Sequence, residues 1–391
     1  MTMRILFVLL LLIITPVDLR PKALVTLKNG LSDGRYSLQL SYQHGGVFAT
    51  NEFLSGLNAA GVPIDSHQAF SVRVAKQTTG TNLWEQLYAY PRYGIGFFTA
   101  DFKSEELGQP ISVFGFLTGP FFRIRHFSLT YDFAIGLAFH WNKYDPLTNP
   151  YNIAIGSAIN SMVEAGIGAE VRVFPRVNTG AGFGLTHFSN GGITLPNRGV
   201  NNSFWKLSLR YELYSDDPIK PRNRIEKFKD VNEWIIAGYT GFKNAEIPVT
   251  VKPMQKQPSV PVYAIGIFGI YHRQLDYKSK IGAGIEFGYN GLVNPQFETV
   301  ADSLHLIRKP DIRRLEFSIF PSYELTFNKL SLFVEAGFYL YRNELIKISP
   351  VFYQRVGIKY YFTDHIFAAI QIRARSVAKA VMIEWTMGYR F

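Results

Sequence analysis

The 391-residue sequence contains no cysteine, which excludes disulfide bonds and a cysteine-linked lipid anchor. Charged residues make up only 18% of it, low for a soluble globular protein. Beyond the N-terminus there is no apolar run long enough for a spanning helix. There is no HExxH, no Walker loop and no cluster of histidines at metal-ligand spacing. No Gly-x-Ser-x-Gly elbow surrounds Ser189. These absences exclude a helical membrane bundle and an α/β-hydrolase, and no metal or cofactor is called for.

What is abundant is glycine, with 33 residues, and aromatic side chains, at 15%. They lie in short segments that alternate apolar and polar. Phe127, Leu129, Tyr131, Phe133 and Ile135 alternate with Ser128, Thr130, Asp132 and Ala134. Trp205, Leu207, Leu209 and Tyr211 alternate with Lys206, Ser208 and Arg210, and Ile281 to Tyr289 repeats the pattern. Period-two alternation marks β-strands, and about ten residues per strand marks a membrane barrel. A β-sandwich can show the same pattern. An N-terminal export signal and an aromatic last strand, Val381 to Phe391, argue for the barrel.

The N-terminal stretch, Arg4 followed by apolar Ile5–Ile14, has the form of a secretory signal peptide over residues 1–20. Its cleavage site is not defined. The expected fold is all-β: a transmembrane antiparallel barrel of the outer-membrane type over residues 21–391, with about 12–16 strands. Short turns, such as Phe174–Arg176 and Phe327–Asn328, alternate with long connections, such as Gly45–His67 and His187–Asn202. That asymmetry puts both termini in the periplasm and the long loops outside. Two segments break the parity, Lys76–Arg92 and Tyr214–Asp230, and Ile247–Pro261 reads as an extended Pro-rich loop. No domain linker or internal repeat stands out. The net charge of +11 is scattered rather than gathered into a stripe. For an exported barrel it points away from nucleic acid, toward phosphorylated lipid or toward loop charge without a specific partner.

The segment His187-Phe188-Ser189-Asn190-Gly191-Gly192, followed by Pro196-Asn197-Arg198-Gly199-Val200-Asn201, carries the chemistry. Val177, Thr179, Ala181, Phe183 and Leu185 share one side of a strand, and His187 and Ser189 continue it. On a barrel that side faces lipid. A base and a hydroxyl set together at the lipid boundary suit an enzyme whose substrate is a lipid. Residues i and i+2 of a strand lie about 7 Å apart, a gap that leaning side chains can close. A serine hydroxyl becomes a good nucleophile when a neighbouring base takes its proton.

At these residues the chain resembles the PagL-type lipid A deacylases, outer-membrane barrels that remove an ester-linked acyl chain. The likeness is weaker over Asn149–Glu170, and members of the family are usually much shorter. It implies lipid A or lipopolysaccharide as substrate, the bacterial outer membrane as location, and no cofactor. It implies His187 as general base and Ser189 as nucleophile, with Asn190, Asn197 and the backbone around Gly191 supporting the oxyanion. The family's third residue is a glutamate, and Asn201 stands there instead. An amide can orient an imidazole but cannot balance its positive charge. Three readings stay open: Asn201 substitutes for the acid; Glu164, Glu170 or Glu212 supplies the carboxylate, Glu212 disfavoured by its inward parity; or the site is degenerate. The competing functions are a porin-like channel and a structural barrel. Oligomeric state is not legible.

Overall fold

In the computed structural model of the protein, residues 35–214, 225–246, 259–291, 297–300, 303–306, 312–342, 351–375 and 379–391 are described. The expected signal peptide, residues 1–20, and most of the expected Pro-rich loop at Ile247–Pro261 lie outside them. The first sheet contains β1 (Tyr36–Gly46), β2 (Ser66–Gln77), β3 (Arg92–Asp101), β4 (Gly108–Ile124), β5 (Phe127–Trp141), β6 (Asn160–Phe174), β7 (Val177–Ser189) and β8 (Val200–Glu212). It closes on itself, because β8 pairs antiparallel with β1 through Leu209 opposite Leu40 and Leu207 opposite Tyr42.

A second sheet begins at β9 (Val231–Glu246) and continues through β10 (Ser259–Gln274) and β11 (Ser279–Asn290). A separate two-stranded hairpin, β12 (Phe297–Val300) and β13 (Ser303–Leu306), follows. The sheet resumes with β14 (Leu315–Phe327), β15 (Leu330–Arg342), β16 (Phe352–Tyr361), β17 (Ile366–Arg375) and β18 (Lys379–Arg390). It closes where β18 pairs with β9.

The single barrel expected over residues 21–391 is therefore two barrels of eight strands. The strand total, counted over both, reaches the top of the expected range. The ladder closes after β8, and Tyr214–Asp230, expected as a periplasmic excursion, joins one closed sheet to the next. The protein is an outer-membrane-type all-β chain. Among the described residues, no helix is long and apolar enough to cross a membrane.

Alternation builds both walls. On β8, Trp205 and Leu207 are exposed while Phe204 and Arg210 are buried; on β10, Ile265 and Ile267 are exposed while Ala264 and Phe268 are buried. Bulky apolar side chains thus face outward, as lipid contact requires.

Eight-stranded barrels are just wide enough for side chains to fill. In the first lumen, Arg73 donates to Asp132 at 2.8 Å and to Glu164 at 2.8 Å, and Lys206 contacts Asp132. Toward the short-turn end, Arg92 and Arg210 hold Glu170, and Arg210 reaches Glu212 at 2.7 Å. In the second lumen, Arg373 and Arg355 converge on Glu286, and Lys280 and Lys359 pair with Glu233 and Glu324. Charges removed from water need such partners, and removing one partner of a buried pair typically costs about 3–5 kcal/mol.

The two barrels touch at both ends. In the Lys76–Arg92 segment, a short helix α1 (Leu83–Leu87) leads to Tyr88. The Tyr88 ring stacks on Phe327 at 4.2 Å, and its hydroxyl donates to the Thr326 carbonyl at 2.8 Å. At the other end, Asn244 of β9 donates its N–H to the Gly192 carbonyl at 3.2 Å and its side-chain amide to the Ile193 carbonyl at 2.5 Å.

Candidate active site

The β7–β8 hairpin opens at the end of the first barrel that carries the long loops. Its register places His187 directly opposite Asn201 and Phe188 opposite Val200. Phe188 points inward and is fully buried. It packs among Phe98, Phe102 and Trp141, within a cluster that also takes in loop residues Phe53, Leu54, Leu107 and Ile155. This apolar plug closes the rim. Because strand side chains alternate, anchoring Phe188 inside turns His187 and Ser189 to the outer side, in line with exposed Phe183 and Leu185.

Ser189 Oγ lies 2.8 Å from His187 Nε2, and His187 Nδ1 lies 2.7 Å from Asn201 Oδ1. Asn201 Nδ2 donates to Thr50 Oγ1 at 3.4 Å, which directs its carbonyl oxygen toward the imidazole. An amide oxygen can only accept, so Nδ1 carries the imidazole proton. Nε2 is then left with a lone pair facing the serine hydroxyl. The three side chains form one relay from hydroxyl to ring to amide.

The connection from Asn190 to Gly199 is braced by side chains. Asn190 Oδ1 accepts the Gly192 N–H at 2.9 Å, while its Nδ2 donates to Ser157 Oγ and to the Thr194 carbonyl, each at 2.9 Å. Asn197 Oδ1 accepts the Asn190 N–H at 3.1 Å. Two donors of this connection, the Gly191 N–H and Asn197 Nδ2, have no hydrogen-bond acceptor among the described residues. Gly191 and Gly192 adopt φ of +67° and +83°, which a side chain would strain. Gly199, at φ +72°, lies over the pair: a Cβ there would fall 3.2 Å from the His187 ring and 3.0 Å from the Phe188 carbonyl.

Two loops hold this cover. Asn51 donates to the Gly199 carbonyl at 3.3 Å, and the Phe48 N–H donates to the Asn201 carbonyl at 2.8 Å. The Arg198 and Gly199 N–H groups donate to Ile153 and Ala154. The Ile155 N–H is capped by Asn152 Oδ1 at 3.1 Å. The Asn149–Glu170 stretch singled out in the sequence thus supports the site without entering it.

The three carboxylates considered as substitutes do not reach His187. Glu164 is committed to Arg73 and Gln43, Glu170 to Arg92 and Arg210, and Glu212 to Arg210 and Asn178, all inside the barrel. Thr50 and Asn51 escaped sequence reasoning. They sit in a long loop without periodicity, and Thr50 meets Asn201 across 151 positions.

Residues 68–216 match the family profile described as lipid A 3-O-deacylase (PagL). Residues 232–391 match the profile of its companion, the acyloxyacyl hydrolase C-terminal domain. The chain belongs to the PagL family. The boundary between the two profiles falls in the connection between the barrels. A comparison with curated proteins matched none. Among solved structures, the outer-membrane enzyme PagL is 13% identical, with 44% of this chain and 97% of that one covered at a TM-score of 0.29. The ferric enterobactin receptor PfeA of Pseudomonas aeruginosa is 9% identical (87% and 53% covered, TM-score 0.24). Outer membrane phospholipase A of Escherichia coli is 8% identical (91% and 92% covered, TM-score 0.16). As a PagL-family barrel, the protein resides in the bacterial outer membrane.

Proposed function

We propose that the protein is an outer-membrane esterase that removes an ester-linked acyl chain from lipid A, with Ser189 as nucleophile and His187 as general base. The observation that carries this reading is the relay of 2.8 Å and 2.7 Å contacts joining Ser189, His187 and Asn201 on the lipid-facing side of β7. His187 Nε2 takes the hydroxyl proton as Ser189 Oγ attacks the ester carbonyl. The oxyanion that forms takes hydrogen bonds from the Gly191 N–H and Asn197 Nδ2, donors fixed beforehand by the braced loop. Collapse of this intermediate breaks the ester C–O bond, and the departing alkoxide of the lipid takes the proton from the imidazolium and leaves as an alcohol. Water, deprotonated by His187, then attacks the acyl-serine and frees the fatty acid. Asn201 holds the ring in the tautomer that accepts from Ser189.

Residues inside the barrels supply no step. Neither lumen favours a channel, since paired charged side chains fill both. Purified protein incubated with lipid A tests the reading through fatty-acid release. Ser189→Ala should lower release by at least ~10³-fold while the barrels stay folded. Release at the parent rate would place the nucleophile elsewhere.

A further inference from the structure

The second barrel is tied to the catalytic loop on one particular edge. Beyond the Asn244 contacts, a Cβ at Gly191 would overlap the Ile383 side chain of β18, so the glycine sits directly on that residue. Ile383 pairs with Phe242 of β9, and the outward column continues from there as Trp385 with Thr240, then Met387 with Gly238. At Gly238 and Thr240 the outward face of β9 is small, where bulkier Trp234 and Ile236 precede it. Ile265 and Ile267 of β10 stand on one side of this notch and Trp385 and Met387 on the other, all exposed.

The result is an apolar groove of about 1030 Å³ on the outer wall. It begins two residues along the strands from the Gly191 contact, about 7 Å. It lies at the long-loop end: Tyr289, next to the end of β11, and Leu315, which opens β14, both line it. An ordinary lipid-facing wall has no need of such a notch beside a catalytic loop.

We propose that this groove on the second barrel holds acyl chains of the same lipid molecule whose ester is presented to Ser189, so that the C-terminal barrel sets affinity and acyl-chain preference. The inference rests on the deacylase reading above. A multiply acylated substrate has chains that are not being cleaved, and they must lie somewhere within reach of the loop. The groove begins two residues along β18 from Ile383, the side chain on which Gly191 sits, is lined outward mainly by apolar side chains, and opens to lipid. Chains seated there add packing contacts to binding without touching the chemical step.

The test fills the notch in the full-length protein. Gly238→Trp and Thr240→Trp are compared with Val356→Trp, an outward position on β16 outside the groove. Gly238 has room, since a Cβ there meets only a backbone oxygen at 3.8 Å. Both groove variants should raise KM for lipid A about tenfold with kcat within twofold, and should leave hydrolysis of a short soluble ester unchanged. Val356→Trp should alter neither. Unchanged KM in both groove variants overturns the proposal. Failure of the deacylase reading looks different: the parent protein then hydrolyses neither substrate. In that event a lipid A probe with a diazirine at an acyl terminus, added to Ser189→Ala protein, still decides whether the groove holds acyl chains. Crosslinks to the peptides carrying Thr240 or Trp385, diminished by Gly238→Trp, support occupancy. Crosslinks confined to the first barrel refute it.

Discussion

Asn201 occupies the position from which a carboxylate would both orient His187 and balance the charge that His187 acquires. The amide, 2.7 Å from Nδ1, performs the first task, and Thr50 fixes which of its atoms faces the ring. The second task goes unperformed, because Glu164, Glu170 and Glu212 are spent on arginines within the lumen. Asn201→Ala should therefore lower kcat on the order of 10²-fold, the cost of a misaimed base. Asn201→Glu should match or exceed the parent, since a carboxylate at the same distance also stabilises the imidazolium. Steady-state rates on lipid A check both, and equal rates for all three proteins would show that Asn201 plays no part. At this scale the sequence was informative for local reasons. The spacing of His187 and Ser189 and the parity of Val177 to Leu185 are visible within a dozen positions. Thr50 was invisible because nothing local links a loop threonine to an asparagine 151 residues later.

The β7–β8 hairpin works because one of its residues faces the other way. Phe188 drives into the plug of Phe98, Phe102 and Trp141, and in doing so fixes the two functional neighbours on the outside. Phe188→Ala should destabilise the first barrel by about 3–5 kcal/mol. Its activity should fall with it, because the strand end that carries Ser189 loses its anchor. Thermal unfolding followed by heat-modifiable gel migration, alongside lipid A turnover, measures both. An unchanged unfolding temperature would mean that the plug does not hold the hairpin. The strands of the two barrels were legible, since alternation is a local property, whereas the short hairpin β12–β13 falls in Asn290–Ile312, expected as a long connection. The plug was not legible, because strand residues Phe98 and Trp141 are joined in it by Phe53, Leu54, Phe102, Leu107 and Ile155 from three separate loops, none of which repeats.

Across the whole molecule, the strands of both barrels alternate in the same manner, and nothing in the pattern says where a sheet closes. Closure is a long-range event, set by Leu40 meeting Leu209 in one barrel and by Ile236 meeting Tyr389 in the other. This is why sixteen strands could be counted and still be assigned to one barrel. Two small barrels and one large barrel also differ in physics: a large barrel leaves a water-filled channel, whereas eight strands leave room only for side chains. With Arg73, Glu164, Arg355 and Glu286 packed inside, planar bilayers containing the protein should carry no steady single-channel current. Discrete conductance steps would contradict the filled lumens. The central claim concerns the outer wall and the lipid beside it, and mass spectrometry of lipid A from cells bearing the protein tests it most directly. With the parent protein, lipid A should lose the mass of one ester-linked acyl chain, and with Ser189→Ala it should keep full mass. Identical lipid A in both cells, with both proteins folded in the outer membrane, would contradict the account.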